Sequence, residues 1–72
     1  MSKHIEFRVV KEKAKTKVWG IYAKASGDLI GDVSWYAPWR QYCFEAEPRT
    51  VWAGSCLQDV ASFIKEQMEA RA

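Results

Sequence analysis

Gly54-Ser55-Cys56-Leu57-Gln58-Asp59-Val60-Ala61-Ser62-Phe63-Ile64-Lys65-Glu66-Gln67-Met68-Glu69-Ala70 lies near the end of the 72 residues and carries a helical period. Leu57, Val60, Ala61, Ile64 and Met68 recur at i, i+3, i+4, i+7 and i+11, the stripe of a helix with one buried face, and Phe63 widens it. Ser55 with Gln58 fits a capping box, in which each side chain satisfies an orphan backbone donor. Asp59 near the positive end and Arg71 near the negative end suit the macrodipole. The spacing predicts one amphipathic helix over about 56–70, fraying after Ala70.

Upstream the period changes from that of a helix to two. Ile5, Phe7 and Val9 alternate with His4, Glu6 and Arg8, giving a half-buried strand over about 4–10. A polar connector follows, and 17–24 reads as a second strand whose inward face stays open, since Trp19/Ile21 and Val18/Tyr22 are both apolar sets. Gly20 marks a bulge or a close contact. Ser26-Gly27-Asp28 is a turn signal. A third strand spans about 29–36, with Leu29, Val33 and Trp35 on one face and Ile30, Asp32, Ser34 and Tyr36 on the other. Pro38 ends it, because proline cannot donate to a ladder, and Ala37-Pro38-Trp39 becomes a hairpin tip. A fourth strand covers about 41–46, with Tyr42 and Phe44 inward. Glu47-Pro48-Arg49 is a further turn, and Thr50-Val51-Trp52 reads as a short extended piece, an edge strand at most. The expected fold is a single α+β domain over 1–72: an antiparallel β-meander of three to four strands packed on one C-terminal helix. One helix covers only one face of such a sheet, so the other face meets water or a partner.

A domain of this size has a small core, rarely supplying more than ~3–5 kcal/mol net. Four Trp, three Tyr and three Phe compensate, since each buried aromatic removes a large area from water. The net charge of +2 is too mild to announce a nucleic-acid domain. No apolar run is long enough to span a membrane, and the first residues lack the apolar stretch of a signal peptide. Two cysteines are too few for a disulfide scaffold, and a cytoplasmic setting is expected.

The chemistry-bearing residues are sparse. The lone histidine, His4, lies near a terminus, where a catalytic base is poorly held. Cys43 sits mid-strand and Cys56 in the first helical turn, where a thiol can be activated; both read first as structural cysteines. Neither has the spacing of a metal ligand. Glu45 and Glu47 are paired carboxylates, but a solvated edge explains them better than a sugar cleft. Gly20, Gly27, Gly31 and Gly54 form no phosphate-binding loop. Neither an enzyme nor a cofactor or metal is expected.

Two surface features remain. Lys11, Lys13, Lys15 and Lys17 repeat with period two; on an extended arm they would line one side and could track phosphates, unless the turn falls among them. Otherwise they solvate a hairpin tip and protect a sheet edge. The denser feature is Trp35-Tyr36-Ala37-Pro38-Trp39-Arg40-Gln41-Tyr42-Cys43-Phe44. Alternation lets only part of it be core, with Trp35, Tyr42 and Phe44 the expected members. Tyr36, Trp39, Arg40 and Gln41 then stand at the surface, with Trp52 a candidate neighbour. Trp, Tyr and Arg dominate interface energetics. The alternative has Trp39 folded over a core edge with Arg40 stacked on it.

Gly31-x-x-x-Trp35-Tyr36-x-x-Trp39-Arg40-Gln41-Tyr42-Cys43-Phe44, Pro48-x-Thr50-Val51 and Cys56-Leu57-x-Asp59-Val60-Ala61-x-Phe63-Ile64 together resemble a group of short phage and prophage proteins, over about residues 28–66. No established activity accompanies that resemblance. It implies a small phage accessory protein that binds a host or defence component, as inhibitors of CRISPR complexes do.

The expected function is a non-enzymatic module that binds a protein, as a monomer or homodimer, through the uncovered sheet face and the Tyr36–Arg40 turn. Two alternatives stand beside it. One is a nucleic-acid or nucleotide binder using Lys11–Lys17 with the aromatic turn; the other is a purely structural homodimer.

Overall fold

The computed structural model describes residues 4–71. Four strands form one sheet in chain order, each antiparallel to the next: β1 (Ile5–Glu12), β2 (Lys17–Ala23), β3 (Leu29–Tyr36) and β4 (Gln41–Ala46). The helix α1 (Gly54–Ala70) packs on one face. The α+β meander expected from the sequence is therefore the fold. Of the two residues expected to fray after Ala70, Arg71 is the C-cap of the helix, and Ala72 lies outside the described residues.

Ile5, Trp19, Ile21, Val33 and Tyr42 point from the sheet into the core, where Cys56 and Val60 of the helix meet them. Ile21 and Val33 are fully buried at its centre. Burying a side chain of this kind contributes about 1.5–3 kcal/mol. Rings carry the packing from one sheet edge towards the other. Phe63 lies parallel to Phe7 of β1, with centroids 4.0 Å apart, and edge-on to Trp19 of β2 at 5.1 Å. Trp19 meets Tyr42 at 5.1 Å, and Tyr42 meets Trp35 at 5.3 Å. The three edge-to-face contacts have the geometry that aromatic quadrupoles favour.

Several local expectations change. The open face of β2 is decided: Trp19 and Ile21 are buried, leaving Val18 and Tyr22 on the other side. A register shift between Ile21 and Tyr22 makes Ile30 the extra residue of β3, since Ile21 pairs with Gly31 and Tyr22 with Leu29. The bulge reverses the alternation there, so Ile30 packs on the core while Leu29 stands exposed, opposite to the expected faces. A second shift, between Val9 and Lys11, leaves Val9 and Val10 about half exposed. Thr50-Val51-Trp52 is not a strand, and Val51 is 96% exposed.

The helix also differs in detail. Its N-cap is Ala53, whose carbonyl accepts the Leu57 N–H at 3.1 Å; no side chain caps it, so the Ser55–Gln58 box does not form. Its buried stripe runs through Cys56, Val60, Phe63, Ile64 and Met68, rotated from the expected one: Leu57 and Ala61 are exposed and Phe63 is central. The reason is Phe7, whose ring offers Phe63 a stacking partner at the β1 edge.

Two glycines are required by their surroundings. Gly27 has φ +79° and donates its N–H to the Ala23 carbonyl, closing the β2–β3 turn. Gly31 leaves room on the helix side of β3. A Cβ there would stand 2.9 Å from the Glu45 carbonyl oxygen, 3.0 Å from the Phe44 ring and 3.1 Å from the Trp52 ring.

Candidate functional site

Among the described residues no element covers the second face of the sheet. Antiparallel pairing places side chains on it in cross-strand rows. Glu6 lies opposite Tyr22, and Tyr22 opposite Leu29. Arg8 lies opposite Gly20, Gly20 opposite Asp32, and Asp32 opposite Glu45. Ser34 pairs with Cys43 and Tyr36 with Gln41. Around Gly20 the side chains of Val10, Tyr22 and Leu29 converge, so the close contact expected at that glycine forms the apolar floor of the β1–β2 half. Arg8 lies 4.7 Å above the Tyr22 ring and pairs with Glu6 through Nε at 2.6 Å. The shared hydrogen bond with Arg8 holds the Glu6 carboxyl below its usual range.

The β3–β4 half ends in the aromatic turn. Ala37–Trp39 form a single 3₁₀ turn with Pro38 in its opening positions, and Arg40 follows in the left-handed region at φ 55°. The Arg40 N–H donates to the Tyr36 carbonyl at 2.9 Å, which closes the hairpin. That tight closure projects Trp39 outward at 66% exposure, with Tyr36 at 45% beside it. The two rings meet edge to face, with centroids 5.1 Å apart. Trp39 thus does not fold over the core, and the rings that carry a guanidinium among the described residues are Tyr22 and Trp35.

Beside this pair lies a cavity of about 250 Å³ lined by Ser34, Tyr36, Trp39, Cys43, Phe44 and Glu45. Asp32 and Glu45 face each other across the β3–β4 ladder. Partial burial, then the Glu45 and Glu47 carboxylates, push the Asp32 carboxyl above its usual range. Sequence reading paired Glu45 with Glu47 and left Asp32 out. The signal was present: with the hairpin tip at Pro38, counting back from Tyr36 and forward from Gln41 places Asp32 opposite Glu45.

The structure brings Tyr36 and Trp39 together, with Arg40 and Gln41 exposed next to them, and separates Trp52 from them. Trp52 lies on the helix side of the sheet, edge-on to Phe44 at 4.8 Å, its Nε1 donating to Thr50 Oγ1 at 2.8 Å. The lysines are divided too. Lys11 pairs with Val18 in the ladder, and the turn falls between Lys13 and Thr16, closed by the Lys13 N–H on the Thr16 carbonyl at 2.8 Å. Lys17 Nζ lies 3.8 Å from Glu12 Oε1. Lys13, Lys15 and Lys17 border a concavity of about 270 Å³ with Gln67, Ala70 and Arg71 at the C-terminal end of α1. Unpaired carbonyls give a helix C-terminus partial negative charge, so these cations have a structural complement already.

Cys56 is buried in the core and Cys43 half-buried on the uncovered face, both as free thiols. Among the described residues no cluster of His, Cys, Asp and Glu has the makings of a metal site, and no helix is long and apolar enough to cross a membrane. No protein-family model, curated protein or solved structure matches the chain.

Proposed function

We propose that this chain is a non-enzymatic binding module that engages a protein partner through its uncovered sheet face and the Tyr36–Arg40 turn. The observation that carries this reading is the exposed Tyr36–Trp39 pair, held by a proline-containing turn on a face that nothing covers among the described residues. A tryptophan with few rotatable bonds, fixed by its turn, loses little entropy on docking and removes a large area from water.

Charge favours a protein over a nucleic acid as the partner. Asp32 and Glu45 stand on the same face as the aromatic pair, and Glu47 lies near enough to raise the Asp32 carboxyl. Phosphates brought to those rings would meet carboxylates. Lys13, Lys15 and Lys17, which could attract a phosphate chain, instead border the C-terminal end of the helix. The resemblance to short phage proteins supports a finer version: an accessory protein, acting in the cytoplasm, that binds a host or defence complex.

The test compares the full chain with Trp39→Ala and Arg40→Gly in affinity capture from nuclease-treated host lysate. The expected result is a protein retained by the parent and lost with Trp39→Ala, at an unchanged thermal midpoint. Arg40→Gly keeps the turn, since glycine accepts the left-handed conformation without strain. Capture indifferent to both variants would overturn the reading, and a large fall in the Trp39→Ala midpoint would return that ring to the core.

A further inference from the structure

The cavity beside the aromatic turn has two unlike walls. One is the edge-to-face pair of Tyr36 and Trp39, whose ring faces carry negative quadrupole charge. The other is Glu45, with Asp32 opposite it in the ladder and Glu47 near enough to act on the Asp32 carboxyl. Ser34 and Cys43 lie between. At about 250 Å³ the space falls below the roughly 300–1,000 Å³ of pockets for drug-sized ligands, and suits one long side chain.

The molecule's own rings show what is missing. Tyr22 carries the Arg8 guanidinium at 4.7 Å, and Trp35 carries that of Arg71 at 4.0 Å. Trp39 and Tyr36 have only each other among the described residues. Arg8 pairs with Glu6 and Lys17 with Glu12, and neither pair reaches Asp32, Glu45 or Glu47. Like charges held together without a counter-charge cost stability, and a cation between them would relieve the repulsion.

We propose that this cavity receives an arginine or lysine side chain from a basic segment of the partner protein, the stem lying against Trp39 and Tyr36 and the charge meeting Glu45. This assignment rests on the protein-docking reading and names the chemistry of the partner. A guanidinium is the better fit, because it stacks on a ring face while its N–H groups donate to a carboxylate. Both walls attract positive charge, so the selectivity is for charge as well as shape.

The test titrates the full chain, labelled with ¹⁵N, with a short peptide of alternating arginine and glycine. In a control peptide citrulline replaces arginine, keeping the shape and removing the charge. The expected result is a shift of the Trp39 indole N–H and of the Ser34, Cys43 and Glu45 amides with the arginine peptide, absent with citrulline. Glu45→Gln combined with Asp32→Asn should weaken that binding at least about fivefold, with the thermal midpoint held or raised.

Shifts confined to the rest of the surface, or equal binding of the citrulline peptide, would overturn the proposal. The two readings fail separately. If the carboxylate variant still captures the Trp39-dependent partner with undiminished affinity, the docking surface stands and the cation pocket falls. If Trp39→Ala leaves partner capture intact, the docking reading falls, and the peptide shifts alone judge the cavity.

Discussion

Asp32 shows how a residue that reads as ordinary strand polarity becomes informative once its neighbours are fixed. Partial burial and the Glu45 and Glu47 carboxylates raise its pKa in the folded chain. The folded state therefore holds that proton more tightly than the unfolded one. The stability linked to it is fully present below the unfolded pKa and is lost as pH rises through the folded value. Asp32→Asn removes the charge without changing shape. Its thermal midpoint should exceed the parent's at neutral pH, and the gap should close in acid, below the carboxylate range. A lower midpoint at neutral pH would show that the carboxylate is stabilised by a partner within the chain. Arg40, next to the aromatic pair, is a second residue whose role comes from the backbone: its φ of 55° is rare for a side-chain-bearing residue and belongs to the closure that holds Trp39 outward.

At the scale of elements, the helix shows that a correct period does not fix a rotation. Leu57, Val60, Ala61, Ile64 and Met68 form a good stripe, yet the packed one is centred on Val60 and Phe63. Phe63→Ala should lower stability by about 2–4 kcal/mol, losing contact with both Phe7 and Trp19. Leu57→Ala should change it by no more than roughly 0.5 kcal/mol, since that residue is 45% exposed. Urea unfolding of the two variants distinguishes the rotations; equal losses would favour the stripe read from sequence. Gly31 is a comparable element-level constraint, because β3 must pass under Trp52 and beside the Glu45 carbonyl. Gly31→Ala should destabilise by about 1–3 kcal/mol through overpacking, measured the same way, because a backbone carbonyl in a ladder has little freedom to retreat.

For the whole molecule the arithmetic of layers decides where function is sought. A four-stranded sheet has two faces and α1 packs on one of them. The other divides into a half with Arg8, Val10, Tyr22 and Leu29 and a half where Tyr36 and Trp39 border carboxylates. Lys11 precedes the β1–β2 turn and Lys17 follows it, so among the described residues the lysines do not line one side of an extended arm. Single-stranded DNA should therefore bind feebly even at low salt, and Lys13→Glu with Lys15→Glu should not alter capture of the protein partner. Fluorescence anisotropy across a salt series checks the first expectation. Tight binding that falls steeply with salt would restore the nucleic-acid reading.

Residue order alone determined the class of fold, the approximate positions of the four strands and the hairpin tip at Pro38, whereas the exposure of Trp39 stood between two readings that the structure decided. The first three follow from local physics: period, turn chemistry and proline's missing donor act between near neighbours in the chain. Tertiary structure alone decided the inward face of β2, the exchange of Leu29 and Ile30 at a bulge, the rotation of α1 and the separation of Trp52 from the aromatic turn. The choices in β2, at the bulge and in α1 lay between apolar sets of nearly equal merit. Such a tie is broken only by which set finds rings to pack against, and those rings are far away in sequence.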